Sequence, residues 1–182
     1  MTDEDPSSSF FVGMDRIRHL SILTNSMPKF AYSFTVNAPK AIVRAFHHDP
    51  RVLKQLTPPP LFVQVHEFEP LAEGSRAAFT IWFGPIPVRW QAVHSQVNDG
   101  GFTDTMVTGP LKKWQHHHQF VALNNEMTEV RESITYEYES GVKGVVNRMM
   151  YSKLSLTFLF TARKFITRRQ IKTTMRSKNV RN

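Results

Sequence analysis

The sequence of 182 residues contains no cysteine. Disulfide bonds, thiol nucleophiles and thiolate metal sites are therefore excluded, and the absence fits a reducing compartment. Hydrophobic runs are also short: the longest, residues 154–160, is interrupted by Ser155 and Thr157 and is far below the ~20 residues that cross a bilayer. The first nine residues are acidic and polar, unlike a secretory signal or a transit peptide. We therefore expect a cytoplasmic protein, either soluble or attached to the periphery of a membrane.

The motifs of several common enzyme classes are absent as well. The sequence has no GxSxG nucleophile elbow. It also has no phosphate-binding loop and no GxGxxG dinucleotide motif. These absences weigh against a hydrolase, a kinase and a dinucleotide-dependent enzyme, and we predict that the protein uses no cofactor.

Acidic residues are missing from the C-terminal part of the chain. Residues 140–182 hold 11 of the 23 Lys and Arg and none of the 15 Asp and Glu, so the remaining residues carry a net charge of −3. Such an asymmetry indicates contact with an anionic surface. We predict an anionic membrane, contacted by Arg168, Arg169, Lys172 and Arg176; the alternative is a solubilising tail. No motif or aromatic platform for nucleic acid accompanies these charges, so nucleic-acid binding is not expected.

Three segments are predicted: a flexible N-terminal arm over residues 1–28, one domain over 29–169 and a basic tail over 170–182. The arm includes a possible short amphipathic helix within residues 10–23. Alternating hydrophobic residues predict a strand over 29–37. Pro39 suits the first turn of a following short helix, and Asp49-Pro50 ends it, because the residue before proline disfavours helical geometry.

A run of strands and one long helix complete the predicted domain. Turn signals at Gly84-Pro85, at 98–101, at Gly109-Pro110 and at Asn124-Asn125 separate strands over 61–68, 76–83, 88–97, 102–108, 113–123 and 127–138. A helix is predicted over 141–169, with Val142, Val146, Met149 and Phe160 on one side, and residues beyond it are expected to fray. The predicted fold class is α+β: a curved antiparallel sheet of six to seven strands that grips one long C-terminal helix, with a short helix after the first strand.

Ionisable side chains share strand faces with aromatic ones in the second half of the sheet. Successive side chains of a strand alternate between its two faces. The predicted faces are therefore Phe102 with Asp104, then Trp114 with His116, His118 and Phe120, then Glu132 with Tyr136. Such a mixture is typical of a partly polar pocket.

Several stretches together resemble the START and Bet v 1-like superfamily, also called the helix-grip or SRPBCC fold. They are Val36-Asn37-Ala38-Pro39, His48-Asp49-Pro50, Leu71 with Gly74, and a block with Arg89-Trp90, Asp104, Gly109-Pro110, Trp114, His116, His118, Phe120, Val130 and Tyr136. The block resembles the polyketide cyclase/dehydrase or coenzyme Q-binding-like subgroup. The resemblance covers residues 30–169 and implies an internal cavity for a hydrophobic small molecule, such as a lipid, a quinone or a polyketide-like aromatic.

The predicted function is binding or carriage of that molecule without catalysis. The predicted ligand-binding residues are Trp90, His94, Phe102, Asp104, Trp114, His116, His118, Phe120, Glu132 and Tyr136. The alternative is a polyketide aromatase/cyclase in which Asp104, His116 and His118 act as acid and base.

The three consecutive histidines 116–118 raise a further question. Only His116 and His118 share a face, and a zinc site needs three or four converging ligands, which Asp104, His94 or Glu132 could complete from neighbouring strands. No HExxH or similarly dense motif is present, and two alternating histidines on a strand are commonly hydrogen-bonded wall residues, so we predict no metal. We expect His116→Ala and His118→Ala to change ligand affinity more than stability, with His117→Ala as a nearly silent control.

Overall fold

The computed structural model describes residues 27–49 and 51–179. The helix predicted within residues 10–23 lies outside the described residues, as does most of the predicted arm.

Seven strands form one antiparallel sheet in the order β1-β7-β6-β5-β4-β3-β2. Strands β2 to β7 follow one another as a meander, and β1 closes the far edge by pairing with β7. Their bounds are β1 Lys29–Val36, β2 Leu61–Phe68, β3 Arg76–Phe83, β4 Ile86–Asn98, β5 Gly101–Thr108, β6 Lys113–Asn124 and β7 Met127–Glu137. The predicted α+β fold class and the strand-separating turns are confirmed.

The turn between β4 and β5 shows why its sequence is rich in Asn and Gly. The Asn98 side chain accepts a hydrogen bond from the Gly100 amide at 2.7 Å. Gly101 follows with φ 152°, and a Cβ on this residue would lie 1.8 Å from the carbonyl oxygen of His118. Only glycine permits this close approach of β5 to β6, and the approach sets the register of the strands that carry the ionisable residues.

The C-terminal region contains two helices where one was predicted. The helices are α1 Lys40–His48, α2 Val52–Gln55, α3 Gly141–Met150 and α4 Lys153–Asn179. Helix α3 ends at Met150, and the Oγ of Ser152 accepts a hydrogen bond from the amide of Ser155 at 3.1 Å. Serine in this position is a typical N-cap, because its side chain satisfies an amide that has no partner within the helix. Ser152 therefore starts a new helix.

The break between α3 and α4 changes which side chains are buried. Val142, Val146 and Met149 are exposed, whereas Phe160 is buried. The prediction of one continuous apolar side was wrong, because a break in the chain resets the rotational phase of the second helix.

Helix α4 lies along β1. The hydroxyl groups of Tyr32 and Thr161 are hydrogen bonded at 3.1 Å, and the Phe30 and Phe160 rings lie 5.4 Å apart. The helix does not fray after residue 169 but continues to Asn179, with Ile171 buried. Because α4 covers the β1 edge, the face of the sheet over β3 to β6 is left for a cavity that α1 and α2 help to close.

Candidate functional site

An inner cavity of about 170 Å³ lies between the sheet, α2 and α4. Its wall is mainly apolar, and its aliphatic and aromatic residues include Val52, Leu53, Leu56, Phe68, Leu71, Phe79, Trp90, Phe102, Trp114, Leu156 and Phe160. An outer cavity of about 600 Å³ lies between residues 57–61 and the α3–α4 junction. Both cavities are lined by Ile81, Tyr151, Leu156, Leu159 and Arg163, so they adjoin.

Ionisable side chains converge on one part of the inner wall because of the strand register. His94 lies opposite Asp104, and Asp104 lies opposite His116. On the next pair of strands, His118 lies opposite Glu132. Directly opposite and diagonal neighbours in an antiparallel sheet are within reach of long side chains, so five ionisable groups meet on one face.

His118 lies between two carboxylates. Its Nε2 is 3.1 Å from Oδ2 of Asp104, and its Nδ1 is 2.8 Å from Oε2 of Glu132. The second contact is an ion pair without hydrogen-bond geometry. A bare nitrogen lone pair would repel either carboxylate, so both nitrogens carry protons. Burial opposes this charge, but Glu132 and Asp104 overcome it and raise the pKa of His118 to about 10.

The two carboxylates are correspondingly ionised. Burial alone would raise their pKa values, but His118 and His94 hold the pKa of Asp104 well below its usual range. His118 and His116 do the same for the pKa of Glu132.

His94 extends this network to Ser75, the residue that precedes β3. Its Nδ1 lies 3.0 Å from the carbonyl oxygen of Ser75, and its Nε2 lies 3.1 Å from Oδ1 of Asp104. The nearby carboxylate favours the protonated form of this ring. Burial lowers the pKa of His94, but Asp104 raises it more.

Two other buried histidines are neutral. His116 donates from Nε2 to Oε2 of Glu132 at 2.8 Å. Burial, followed by the charge of His118, lowers the pKa of His116 to about 4. His47 donates from Nδ1 to the carbonyl oxygen of Val43 at 2.8 Å, and burial lowers its pKa to about 4. The inner cavity therefore has an apolar wall and one polar patch of fixed charges.

No protein-family model matches the sequence, and no curated protein matches it. Solved structures do. The Zhui aromatase/cyclase from Streptomyces sp. R1128 is similar with a TM-score of 0.65 and 14% identity, over 80% of this chain and 94% of that chain. A START superfamily protein from Mycobacterium smegmatis is similar with a TM-score of 0.62 and 10% identity, over 80% and 98% of the two chains. Norcoclaurine synthase from Thalictrum flavum, in complex with dopamine and hydroxybenzaldehyde, gives a TM-score of 0.60 and 12% identity, over 94% and 98%.

The chain has the START/Bet v 1-like, helix-grip fold. Solved structures with this fold include enzymes and binding proteins, so the fold by itself leaves catalysis open.

The predicted ligand-binding residues of this START-like chain divide into two sets. Those in the wall of the inner cavity are Trp90, His94, Phe102, Asp104, Trp114, His116 and His118. Phe120 and Tyr136 are instead buried in the hydrophobic core. Glu132 is buried beside His116 and His118 and is not part of the wall.

Sequence reasoning missed most of the apolar residues of the cavity wall and also His47, Tyr151 and Arg163, whose side chains are polar. A signal for Arg163 was present in the helical spacing of α4. It lies three residues after Phe160 and four before Thr167, on the side of the helix on which Leu156, Phe160 and Thr167 are buried. His47 follows the buried Val43 by one helical turn. Nothing in the local sequence marks Tyr151, which becomes part of the wall only because α3 ends there.

Asp104, His116 and His118 have ligand atoms within 4.8 Å of one another, a spacing that a metal ion could bridge. The same atoms already contact each other or Glu132. A metal would have to displace a proton from the His118 imidazolium, because histidine binds metals through a neutral nitrogen. The absence of a metal stays a prediction.

Proposed function

We propose that the protein binds a hydrophobic small molecule, of the lipid, quinone or polyketide-like kind, without catalysing a reaction. One observation carries the proposal: the wall of an internal cavity is mainly apolar, and on the sheet it has one polar patch whose charged groups are paired with one another. An inner volume of about 170 Å³ suits one ring, since a cavity of ~150 Å³ accepts benzene. The rest of a larger ligand would extend into the outer cavity of about 600 Å³.

The expected affinity comes from the apolar walls. Burying one aromatic ring system removes about 150–250 Å² from water, worth roughly 4–6 kcal/mol before the costs of association are subtracted. The polar patch would orient one end of the ligand rather than supply most of the binding energy.

The protonation states of the histidines argue against acid–base catalysis at neutral pH. A general acid or base works best when its pKa is close to the operating pH. The pKa of His118 is about 10 and that of His116 is about 4, so neither exchanges a proton readily near pH 7. Turnover of a polyketide substrate that is lost in Asp104→Asn would overturn this argument and favour the aromatase/cyclase alternative.

Filling the inner cavity should weaken ligand binding. Ala92 is buried in the cavity wall, so we expect Ala92→Phe to weaken binding of the neutral fluorescent probe N-phenyl-1-naphthylamine at least ~10-fold, because the new ring occupies the ligand volume. Ala31→Phe, on an exposed position of β1, is the matched control. Fluorescence titration measures both. Unchanged affinity in Ala92→Phe would contradict the proposal, and native mass spectrometry of the wild type would show any lipophile that co-purifies.

We also propose contact with an anionic membrane, through the outward side of α4. At about 100° per residue, Leu154, Phe158 and Phe165 fall within about 60° of Arg169, Lys172 and Arg176. All six are exposed, apolar in the first half of the helix and basic in the second. Arg168 does not belong to this side, because it donates to the carbonyl oxygen of Thr35 at 2.8 Å.

This outward side of α4 also adjoins the outer cavity, since Leu154 and Phe158 line it. A bilayer in contact with these side chains would exchange a lipophilic ligand without exposing it to water. None of the helices in the described residues is long and apolar enough to span a bilayer, so the proposed contact is peripheral.

Replacing Arg169, Lys172 and Arg176 together by Gln should weaken vesicle binding about 100-fold, at ~1 kcal/mol for each charge near an anionic surface. Deleting the C-terminal segment is a poorer test, because it would remove the buried Ile171. Co-sedimentation with vesicles of phosphatidylcholine and phosphatidylglycerol, at low and at high salt, gives the measurement.

Leu154→Ser with Phe158→Ser should also weaken vesicle binding, whereas Val107→Ser, at an exposed apolar position of β5, should not. If the wild type, the triple Gln variant and the double Ser variant all bind vesicles equally, the membrane proposal is eliminated.

A further inference from the structure

Arg163 lies at the boundary between the inner and the outer cavity and lines both. On α4 it is about 180° around the helix from Leu154, so it is on the inward side. Its guanidinium carbon lies 5.1 Å from the centre of the Phe160 ring. A permanently charged group is therefore held against the apolar wall where the two cavities meet.

The charge of Arg163 has no counter-ion in the described part of the chain. Arg44, Arg51 and Arg131 each form an ion pair with a carboxylate, but Arg163 forms none there. Its Nε is also buried without a hydrogen-bond partner. A buried donor without an acceptor costs free energy, which a ligand able to accept hydrogen bonds would recover.

The neighbouring carboxylates are already engaged. Asp104 contacts His94 and His118, and Glu132 contacts His116 and His118. Both carboxylates therefore already have histidine partners, and neither forms an ion pair with Arg163. A monovalent anion bound beside Arg163 would supply that missing partner.

We propose that Arg163 anchors the carboxylate of an amphipathic carboxylic acid. This inference rests on the proposed function and specifies the ligand class. The planar guanidinium presents paired N–H donors that match the two oxygens of a carboxylate. The apolar part of the acid, aliphatic or aromatic, would occupy the outer cavity beside Met149, Leu154 and Phe158, with space for one ring in the inner cavity.

Decanoic acid and decan-1-ol provide a matched pair of probes, since they share an alkyl chain and differ in charge at neutral pH. Competition with N-phenyl-1-naphthylamine, followed by fluorescence, gives both affinities. The wild type should bind the acid about 10- to 100-fold more tightly than Arg163→Met does, while the alcohol should bind both proteins alike.

Two further variants isolate the role of the guanidinium. Arg89→Met removes the same charge from an exposed position of β4 and should leave the preference for the acid unchanged. Arg163→Lys should retain part of it, because a single ammonium lacks the paired donors. Binding of the neutral probe by each variant shows that its cavity is intact.

The outcomes separate this inference from the function on which it rests. The role of Arg163 as carboxylate anchor is overturned, while the binding function stands, in either of two cases. In the first, the wild type binds the neutral probe but shows no preference for the acid over the alcohol. In the second, Arg163→Met keeps the preference of the wild type for the acid. If the neutral probe does not bind the wild type, the proposed binding function fails, and the anchor with it.

Discussion

His118→Ala should lower the free energy of unfolding by about 3–5 kcal/mol, the usual cost of removing one partner from a buried ion pair. The His118 side chain is 11% exposed, and its imidazolium contacts a carboxylate at each nitrogen. Its removal leaves Asp104 with His94 alone and Glu132 with only the neutral His116. The structure thus adds a large expected loss of stability to the change in ligand affinity that the sequence predicts for this substitution, and both stay predictions.

His117→Ala is the matched control for that experiment. Its side chain points to the other face of β6. In the described structure it makes one hydrogen bond, between Nδ1 and Oγ1 of Thr103 at 2.8 Å. Loss of one such bond costs about 1 kcal/mol. Urea denaturation followed by tryptophan fluorescence gives both values. Equal stabilities of the two variants would contradict the assignment of His118 as the central charge.

The second large effect is an acid-dependent loss of stability. Burial lowers the pKa of His47 from 6.5 to about 4, so the unfolded chain binds this proton more readily than the folded chain does. Stability is therefore fully present above pH 6.5 and falls as the pH is lowered towards 4. The loss from His47 is on the order of 3 kcal/mol, and His116, whose pKa is also lowered to about 4, adds to it.

Other ionisable groups of the site change stability in different pH ranges. The raised pKa of His118 gives stability that is complete below pH 6.5 and is lost towards pH 10. The lowered pKa values of Asp104 and Glu132 give stability that is lost only below their ordinary values of 3.8 and 4.5. The interval between pH 6.5 and about 4.5 therefore reports His47 and His116, together with His48, whose pKa burial also lowers.

His47→Asn tests this assignment, because its amide can still donate to the carbonyl oxygen of Val43 but does not titrate. Urea denaturation between pH 4.5 and 7, the range set by the ordinary pKa values above, should show a smaller decline in this variant than in the wild type. His117→Asn, outside the cavity, is the control. An identical decline in the wild type and in His47→Asn would show that another group is responsible.

Local patterns were sufficient to predict the seven strands and helix α1. Alternation placed His116 and His118 on one face and His117 on the other, and the burial of the first two confirms this arrangement. Glycine, proline and asparagine located the turns, because their backbone preferences act over only a few residues. The same locality explains the error in the C-terminal region, where the serine cap at Ser152 was not recognised and one helix was predicted in place of two.

The sequence by itself determined the strand order along the chain, the inward-facing side chains of β6 and the uneven distribution of charge. Only the tertiary structure decided that His118 lies between Asp104 and Glu132, and that Arg163 lies where two cavities meet. The reason is that periodicity tells which face a side chain occupies, whereas its neighbours depend on strand register and on the angle at which a distant helix crosses the sheet. Both arise from packing between segments far apart in sequence.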